Sequence, residues 1–300
     1  MKYRVRHIIR VAYNPPVLLA HFNLRLAPIQ WPGQRIENFK LTVDPLPNLR
    51  QERAGAYPFN LTRIEILKPI STLSIEATFT ADVGDAELDL LTPQLSIAAL
   101  ARAAQAVKDI GPWSPTNYLF PSRLLPLEPE IVAWARGLLS PDADCLTSAL
   151  ALARRIQSDF AYDVQATKAD TPVAEAFSIR RGVCQDFAHI MIVALRAAGL
   201  PAAYVSGYLR TYPPPGKARL VGADAMHAWV ALWCGPSWGW VGIDPTNGVL
   251  ANADHLVVGM GRDYSDISPI DGVFVGGQSQ KTFNSVDVSP LDAPESPNPR

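Results

Sequence analysis

Three residues that lie far apart in the chain, Cys184, His227 and Asp244, have the chemical types that amide acyl chemistry requires. Cys184 follows a glycine-led loop and begins a predicted helix, where unpaired backbone amides and the helix dipole favour a thiolate and can donate to an oxyanion. Such a thiolate works with a histidine base whose ring is oriented by a carboxylate. The three residues therefore predict a nucleophile, a base and an orienting group, with a thioester forming on Cys184.

Each of the three residues also has an ordinary structural interpretation. A free cysteine such as Cys184 is commonly a small buried hydrophobic residue. His227 taken alone fits a half-buried strand histidine, and Asp244 stands before Pro245, where aspartate is a common turn residue. The catalytic hypothesis depends on their combination, because nucleophile, base and orienter follow one another in the chain order of papain-like enzymes.

The segments "AMHAWVALW" and "SWGWVGIDP" have the aromatic-rich alternation of two antiparallel strands. If Gly235-Pro236 forms a two-residue hairpin loop, Cys234 pairs with Ser237 and His227 lies directly opposite Asp244. Cross-strand neighbours have Cβ atoms ~5 Å apart, so the carboxylate would hold one imidazole nitrogen and direct the other at a thiol. A slip of one residue would separate the pair, so the prediction depends on the turn.

A second histidine, His189, lies five residues after Cys184 on the same predicted helix. At ~100° per residue it is roughly 140° around the helix axis from the cysteine, which favours a core or hydrogen-bonding role. Zinc held by Cys184, His189 and His227 is the competing chemistry. No CxxC or HExxH spacing supports it, and we predict neither a metal nor a cofactor.

The remaining histidines are interpreted as structural. His7 and His21 lie in predicted N-terminal strands, and His255 follows the predicted strands of the second half. His255 is the least certain of these because it stands near the predicted sheet end that carries Asp244. A groove near the site is predicted to be lined by Trp229, Trp233 and Trp240.

The elements that must position these residues predict an α+β fold. Strand-like stretches separated by prolines indicate a small antiparallel β-domain over residues 1–88, followed by a linking region, 89–128, that holds one helical segment. Residues 129–290 form the predicted core, with helices first and an antiparallel sheet second. Residues 291–300 have too few apolar side chains to pack and are predicted to be a flexible tail. The predicted core helices before Cys184 are "EIVAWARGLL", "CLTSALALARRIQSDF" and "TPVAEAF".

Composition excludes several classes of function. The 300 residues contain 27 Lys and Arg against 28 Asp and Glu, a net charge of -1, and the arginines form no dense run, so no nucleic-acid partner is expected. No segment approaches the roughly 18 apolar residues that span a bilayer, and the N-terminus lacks a signal-peptide pattern. Three cysteines do not suggest a disulfide framework. We therefore expect a cytoplasmic protein with no membrane partner.

The sequence resembles the bacterial transglutaminase-like superfamily in its three core motifs, which occur in order: "RRGVCQDFAH" with "LRAAGLPAAYVSGYL" behind it, "DAMHAWVALW" and "GWVGIDPTNG". The N-terminal β-region is similar to the small domain that precedes this core in many bacterial members. The stretch "GRDYSDISPIDGVFVGG" resembles their C-terminal strands. The resemblance thus spans most of the chain.

The resemblance implies a papain-like transglutaminase core in which Cys184 is the nucleophile, His227 the base and acid, and Asp244 the orienter. It implies a peptide or protein amide as substrate, with hydrolysis as the preferred outcome and transfer to amines, the transglutaminase reaction, as an alternative. A non-catalytic peptide-binding module is the alternative from another class. Family members often add a side-chain oxyanion donor, for which an upstream Trp, Tyr, Asn or Gln stays open, and no animal-type calcium loop is evident.

Overall fold

The computed structural model describes residues 1–84, 93–212 and 225–291. The chain has the α+β fold predicted from the sequence, with an N-terminal antiparallel sheet and a core of helices packed on a second antiparallel sheet. The predicted end of the β-domain at residue 88 and all but the first residue of the predicted tail, 291–300, lie outside the described residues. The domain boundaries therefore stay predictions.

The N-terminal sheet is built around one long strand, β1, over Lys2–Leu24. The sequence suggested two separate strands there, because Pro15 and Pro16 cannot donate to a ladder. The structure keeps one strand and shifts its register to β5 between Ala12 and Val17. The sheet order is β2-β5-β1-β4-β3. The other strands are β2 Gln34–Asp44, β3 Leu49–Ala54, β4 Asn60–Ile66 and β5 Ile70–Val83.

Helices occupy the middle of the chain, as predicted. Between α3 and α5, two short strands, β6 and β7, pair in parallel. Among the described residues, no helix is both long and apolar enough to cross a membrane. The elements of this region are α1 Ile97–Ala106, α2 Pro129–Ala135, α3 Cys145–Asp159, β6 Ala161–Tyr162, α4 Val173–Ile179, β7 Arg181–Gly182 and α5 Cys184–Ala197.

Helix α5 is the centre of the core. The sequence predicted one apolar stripe on it, but every residue from Asp186 to Arg196 is buried. The cause is that α5 packs against β8 and β9 of the core sheet on one side and against α2, α3 and α4 on the other. Gly199 ends the helix region with a φ of +78°, a conformation that glycine adopts without strain.

The core sheet has the order β11-β10-β9-β8-β12. Three of its strands match predicted ones, whereas β12 was not predicted and lies beside β8 at the opposite edge from β11. A short helix, α6, follows β12. The bounds are β8 Ala202–Leu209, β9 Ala225–Trp233, β10 Trp240–Asp244, β11 Val249–Leu250, β12 His255–Gly261 and α6 Tyr264–Ile267.

The last two strands, β13 Ile270–Gly276 and β14 Ser279–Pro290, return to the N-terminal sheet. Both pair antiparallel with β1, although they fall within the range predicted for the core. In this ladder His7 lies opposite Val286 and Ile9 opposite Asn284. The first and last described strands are therefore neighbours.

Candidate active site

Cys184 is the first residue of α5, and the loop before it defines the helix end. The Asp186 carboxylate accepts the Val183 backbone N–H at 2.8 Å and the Thr167 hydroxyl at 2.6 Å, which caps the first turn. A Cβ atom on Gly182 would lie 2.5 Å from Asp186 Oδ2, so glycine is what lets this carboxylate approach the loop. The half-buried Cys184 thiol consequently stands beside first-turn amides that have no intrahelical acceptor.

Two tyrosines lie close to this thiol. The β6–β7 ladder pairs Tyr162 with Gly182, two residues before Cys184. Burial, and after it negative charge on Cys184, raise the pKa of the Tyr162 hydroxyl. The same two causes raise the pKa of Tyr204, on β8. Both phenols are therefore side-chain candidates for the oxyanion donor that the sequence left open.

His227, on β9, and Asp244, at the end of β10, form a close hydrogen-bonded pair. His227 Nε2 lies 2.8 Å from Asp244 Oδ2, which leaves Nδ1 available to Cys184, whose side chain lines the same cleft as the imidazole. Burial lowers the pKa of His227, but the interactions with Asp244 and Cys184 outweigh burial and raise this pKa to about 10. The three predicted site residues thus meet at one place, with the histidine in the middle.

The hairpin that joins β9 to β10 differs from the predicted one. Trp233 pairs with Trp240 and Cys234 bonds to Gly239, so the loop comprises residues 235–238 and is two residues longer than the predicted Gly235-Pro236 loop. The predicted direct opposition of His227 and Asp244 is therefore wrong, and the two residues lie diagonally across the ladder. Because the register differs by an even number of residues, both side chains stay on one face and still meet.

Two glycines explain the longer hairpin. The Cys234 backbone N–H donates to the Gly239 carbonyl at 2.7 Å, and the Gly239 N–H donates to the Gly235 carbonyl at 2.8 Å. Gly235 and Gly239 have φ values of +96° and +63°. A two-residue turn would have used only the first glycine, whereas this loop needs positive φ at both ends.

Asp244 is completely buried and saturated with donors. Its Oδ2 accepts from His227, from His255 Nε2 at 3.1 Å and from the Asn247 side-chain amide at 2.6 Å. Its Oδ1 accepts the backbone N–H groups of Thr246 and Asn247 at 2.9 and 3.2 Å. Burial alone would raise the pKa of Asp244, but these bonds hold it well below its usual range. The carboxylate is therefore an anion that orients His227.

His255, the first residue of β12, belongs to this site although the sequence favoured a structural role. Besides its bond to Asp244, the ring accepts the Asn252 backbone N–H at Nδ1, at 3.2 Å. The only sequence signal for this role was that His255 stands near the predicted sheet end that carries Asp244. The partnership itself depends on β12 pairing with β8, which no local pattern predicts.

A metal does not suit this cluster. His227, Asp244 and His255 each offer one ligand atom, and the three atoms lie within 4.8 Å of one another. However, both imidazoles direct Nε2 at the same carboxylate oxygen, and both oxygens of Asp244 already accept hydrogen bonds. The donors of this cluster therefore satisfy one another, as expected of an oriented base.

His189 is absent from the cluster, as its position on the helix predicted. Its Nε2 accepts the Tyr264 backbone N–H at 3.3 Å, and its ring centroid lies 5.2 Å from that of Tyr204. Burial lowers the pKa of His189 to about 4. The zinc hypothesis with His189 as a ligand loses its geometric basis.

The thiol and imidazole open on a cleft of about 400 Å³ between the core and the N-terminal sheet. One wall belongs to the core and holds Cys184, His227 and Ser206. The other belongs to β1 and β14 and holds His7 and Asn284. Among the described residues, no Asp, Glu, Lys or Arg lines this cleft. The remaining lining residues are Ile9, Val183, Gln185, Tyr204, Met226, Ala228, Tyr264, Pro269, Ile270, Thr282 and Val286.

The three tryptophans predicted to line the groove lie elsewhere. Trp233 is buried in the helix-facing core. Trp229 and Trp240 line a separate cavity of about 560 Å³, together with Trp31, Trp113 and Trp238. Trp229 still touches the site from behind, because its ring stacks on His227 with a centroid distance of 6.0 Å. The prediction of a tryptophan-lined catalytic groove is wrong.

Known proteins with a similar sequence cover the whole chain. The profile of the transglutaminase-like superfamily matches residues 132–245, and that of the bacterial transglutaminase-like N-terminal region matches residues 3–82. An uncharacterized protein of Mycobacterium tuberculosis is 34% identical over 297 residues, which are 97% of this chain and 93% of that protein. A protein-glutamine gamma-glutamyltransferase of Pseudomonas aeruginosa is 38% identical over 122 residues, 39% of this chain and 18% of that protein.

A solved structure has the same fold. The crystal structure from Cytophaga hutchinsonii described as "a Putative Cysteine Protease" has a TM-score of 0.73 and 21% identity, covering 99% of this chain and 93% of that chain. At this identity the similarity concerns the fold alone. The two profiles and the mycobacterial relative lead to one conclusion: the chain belongs to the transglutaminase-like superfamily, with the N-terminal region of its bacterial members.

Proposed function

We propose that the protein is a cysteine-dependent amide hydrolase that acts on a peptide or protein amide. The observation that carries this proposal is that Cys184 and the hydrogen-bonded pair of His227 and Asp244 come together at an otherwise uncharged cleft. A nucleophile at a helix N-terminus, paired with a base that a buried carboxylate orients, is the arrangement that covalent acyl chemistry uses. Membership of the superfamily supports the same chemistry.

The reaction follows from these contacts. The Cys184 thiolate attacks the amide carbonyl carbon, and the first-turn amides of α5 donate to the resulting oxyanion. His227 gives a proton to the leaving nitrogen, which departs as ammonia or an amine, and a thioester remains on Cys184. His227 then takes a proton from water, whose oxygen attacks the thioester and releases the acid. Asp244 holds the ring throughout and supports its positive charge.

Hydrolysis is favoured over transfer by the character of the cleft. An amine acceptor such as lysine arrives as an ammonium ion and needs an acidic group to hold it. Among the described residues, no carboxylate lines the cleft, and Asp244 and Asp186 are buried and already accept hydrogen bonds. Water at ~55 M competes without any such recognition.

Acyl transfer to amines is the second candidate, because the Pseudomonas aeruginosa relative carries the name of a protein-glutamine gamma-glutamyltransferase. A binding module with an inert triad is the third. For location we propose the cytoplasm, where Cys145, Cys184 and Cys234, all unpaired, would stay reduced.

One experiment separates the three candidates. A glutamine-containing peptide library is incubated with millimolar labelled primary amine, and the free acid and the amine adduct are measured together. We expect mainly acid, and none with Cys184→Ala. Adduct in excess of acid would establish transfer, and neither product with an intact, reactive Cys184 would favour the binding module.

A further inference from the structure

His7, on β1, is a buried histidine with one unpaired nitrogen. Its Nδ1 lies 3.0 Å from the Tyr208 hydroxyl, and the two rings meet edge to face at a centroid distance of 5.6 Å. Its Nε2 is buried and has no hydrogen-bond partner among the described residues. A buried polar group without a partner destabilises a protein, so such an atom calls for an explanation.

The unpaired nitrogen is a donor. Tyr208 is completely buried and its hydroxyl finds its partner in His7, so the hydroxyl proton goes to His7 Nδ1. Burial lowers the pKa of His7 to about 4, which keeps the ring neutral at physiological pH. A neutral ring that accepts at Nδ1 carries its hydrogen at Nε2. His7 Nε2 is therefore an N–H donor that has no acceptor among the described residues.

The position of His7 connects this donor with the reaction. The ring lines the catalytic cleft on the wall opposite Cys184 and His227. The β1–β14 ladder continues this wall by pairing His7 with Val286 and Ile9 with Asn284. The wall is apolar or uncharged, and it offers a substrate hydrogen bonds but no ion pair.

We propose that His7 is a substrate-recognition residue whose Nε2–H donates to a backbone carbonyl oxygen of the acyl-donor peptide bound in the cleft. The N-terminal sheet then forms the specificity half of the site, and its substrates are uncharged amide-bearing chains. Ammonium groups are disfavoured beside His7, because a donor cannot accept from another donor. This inference rests on the proposed function in one respect, which is that the molecule bound in the cleft is an acyl-donor peptide.

Binding to the inactive Cys184→Ala protein tests the proposal without catalysis. The probes are an acetylated and amidated glutamine peptide and analogues in which each backbone amide in turn is replaced by an (E)-alkene, which removes the carbonyl oxygen and the N–H, or by an ester, which removes the N–H alone. We expect one analogue to bind about tenfold more weakly than the parent, and that difference to vanish in Cys184→Ala with His7→Phe. His7→Gln, whose amide nitrogen reaches the Nε2 position, should restore it.

A matched control exists on the same strand. His21 lies in β1 outside the cleft, within 3.3 Å of Glu65, and His21→Phe should leave the binding profile unchanged. Thermal unfolding confirms that each variant is folded. No binding of any peptide, or an analogue profile that is the same with and without His7, overturns the proposal. Binding that depends on His7 in a wild-type protein without turnover would refute only the proposed function.

Discussion

Two strands of the core sheet each bring a histidine to the same oxygen atom of Asp244. His227 on β9 and His255 on β12 both direct Nε2 at Oδ2, at 2.8 and 3.1 Å, and their side chains are only 9% and 3% exposed. The rings differ in the surroundings of their second nitrogen. The His227 ring shares its cleft with the Cys184 thiol, whereas His255 Nδ1 contacts Asn252, through both its backbone N–H and its side-chain oxygen.

This difference shows that the role of a histidine depends on both of its nitrogens. A ring that reaches both a carboxylate and a thiol can pass protons between reacting groups, whereas a ring that reaches only a carboxylate and Asn252 has no reacting group beside it. We therefore propose that His255 is a positioning residue, which restrains Asp244 and through Asp244 the ring of His227.

Removal of the proton carrier should have the largest effect. His227→Ala deprives Cys184 of its base and the leaving nitrogen of its acid, and we expect kcat/KM for a cleaved peptide to fall by about 10⁴-fold or more. Steady-state hydrolysis measures it. Loss of less than tenfold would mean that His255, or another group, passes the proton instead.

Removal of the negative charge of Asp244, which both histidines share, should have the second largest effect. Asp244→Asn keeps the shape but offers His227 an amide that can favour the wrong tautomer, and we expect kcat to fall by about 10³- to 10⁴-fold while the protein stays folded. Circular dichroism and thermal unfolding check the fold. Near wild-type turnover would contradict the orienting role.

Loss of the positioning bond should have a smaller effect. His255→Phe removes one hydrogen bond to a charged group, worth roughly 1.5–3 kcal/mol, so kcat should fall about 10- to 100-fold with KM little changed. Without this donor the pKa of Asp244 rises, so the acid limb of the kcat profile moves to higher pH. His255→Gln, which returns an N–H, should recover most of the rate, and failure to do so with an unshifted acid limb would indicate a packing role alone.

The smallest predicted effect concerns the alkylation rate of Cys184 in the His227 and His255 variants. At mildly acidic pH, iodoacetamide should modify Cys184 at least tenfold faster than Cys145 or Cys234, which are both buried. His227→Ala should remove that advantage, whereas His255→Phe should change the rate only about twofold. Peptide-resolved mass spectrometry follows all three, and equal rates in the wild type would remove the triad hypothesis.

The sequence was informative about the triad because its signals are local. The glycine-led start of α5 and the alternation of β9 and β10 predicted which faces Cys184, His227 and Asp244 occupy. The hairpin loop was predicted two residues too short, and the site tolerated the error because strand parity repeats every two residues. The need for positive φ at both Gly235 and Gly239 cannot be read from a Gly-Pro pair.

The same reasoning missed the partners of the triad. His255 reaches Asp244 only because β12 pairs with β8 rather than with the strand before it in sequence. His7 reaches the cleft only because β14 returns to β1. Pairings between distant segments depend on the assembled core. No local sequence pattern around His255 or His7 indicates these pairings.

The return of β13 and β14 to β1 has a consequence for folding order. Tyr3 pairs with Pro290 and Arg10 with Phe283, so contacts of the highest sequence separation in the described chain build one wall of the cleft. Such non-local pairings form slowly, because a long loop must close before they add stability. A nascent chain can therefore contain the whole of Cys184, His227 and Asp244 and still lack a complete cleft. The wall of the cleft that faces Cys184 and His227 is therefore completed only after synthesis has passed Pro290.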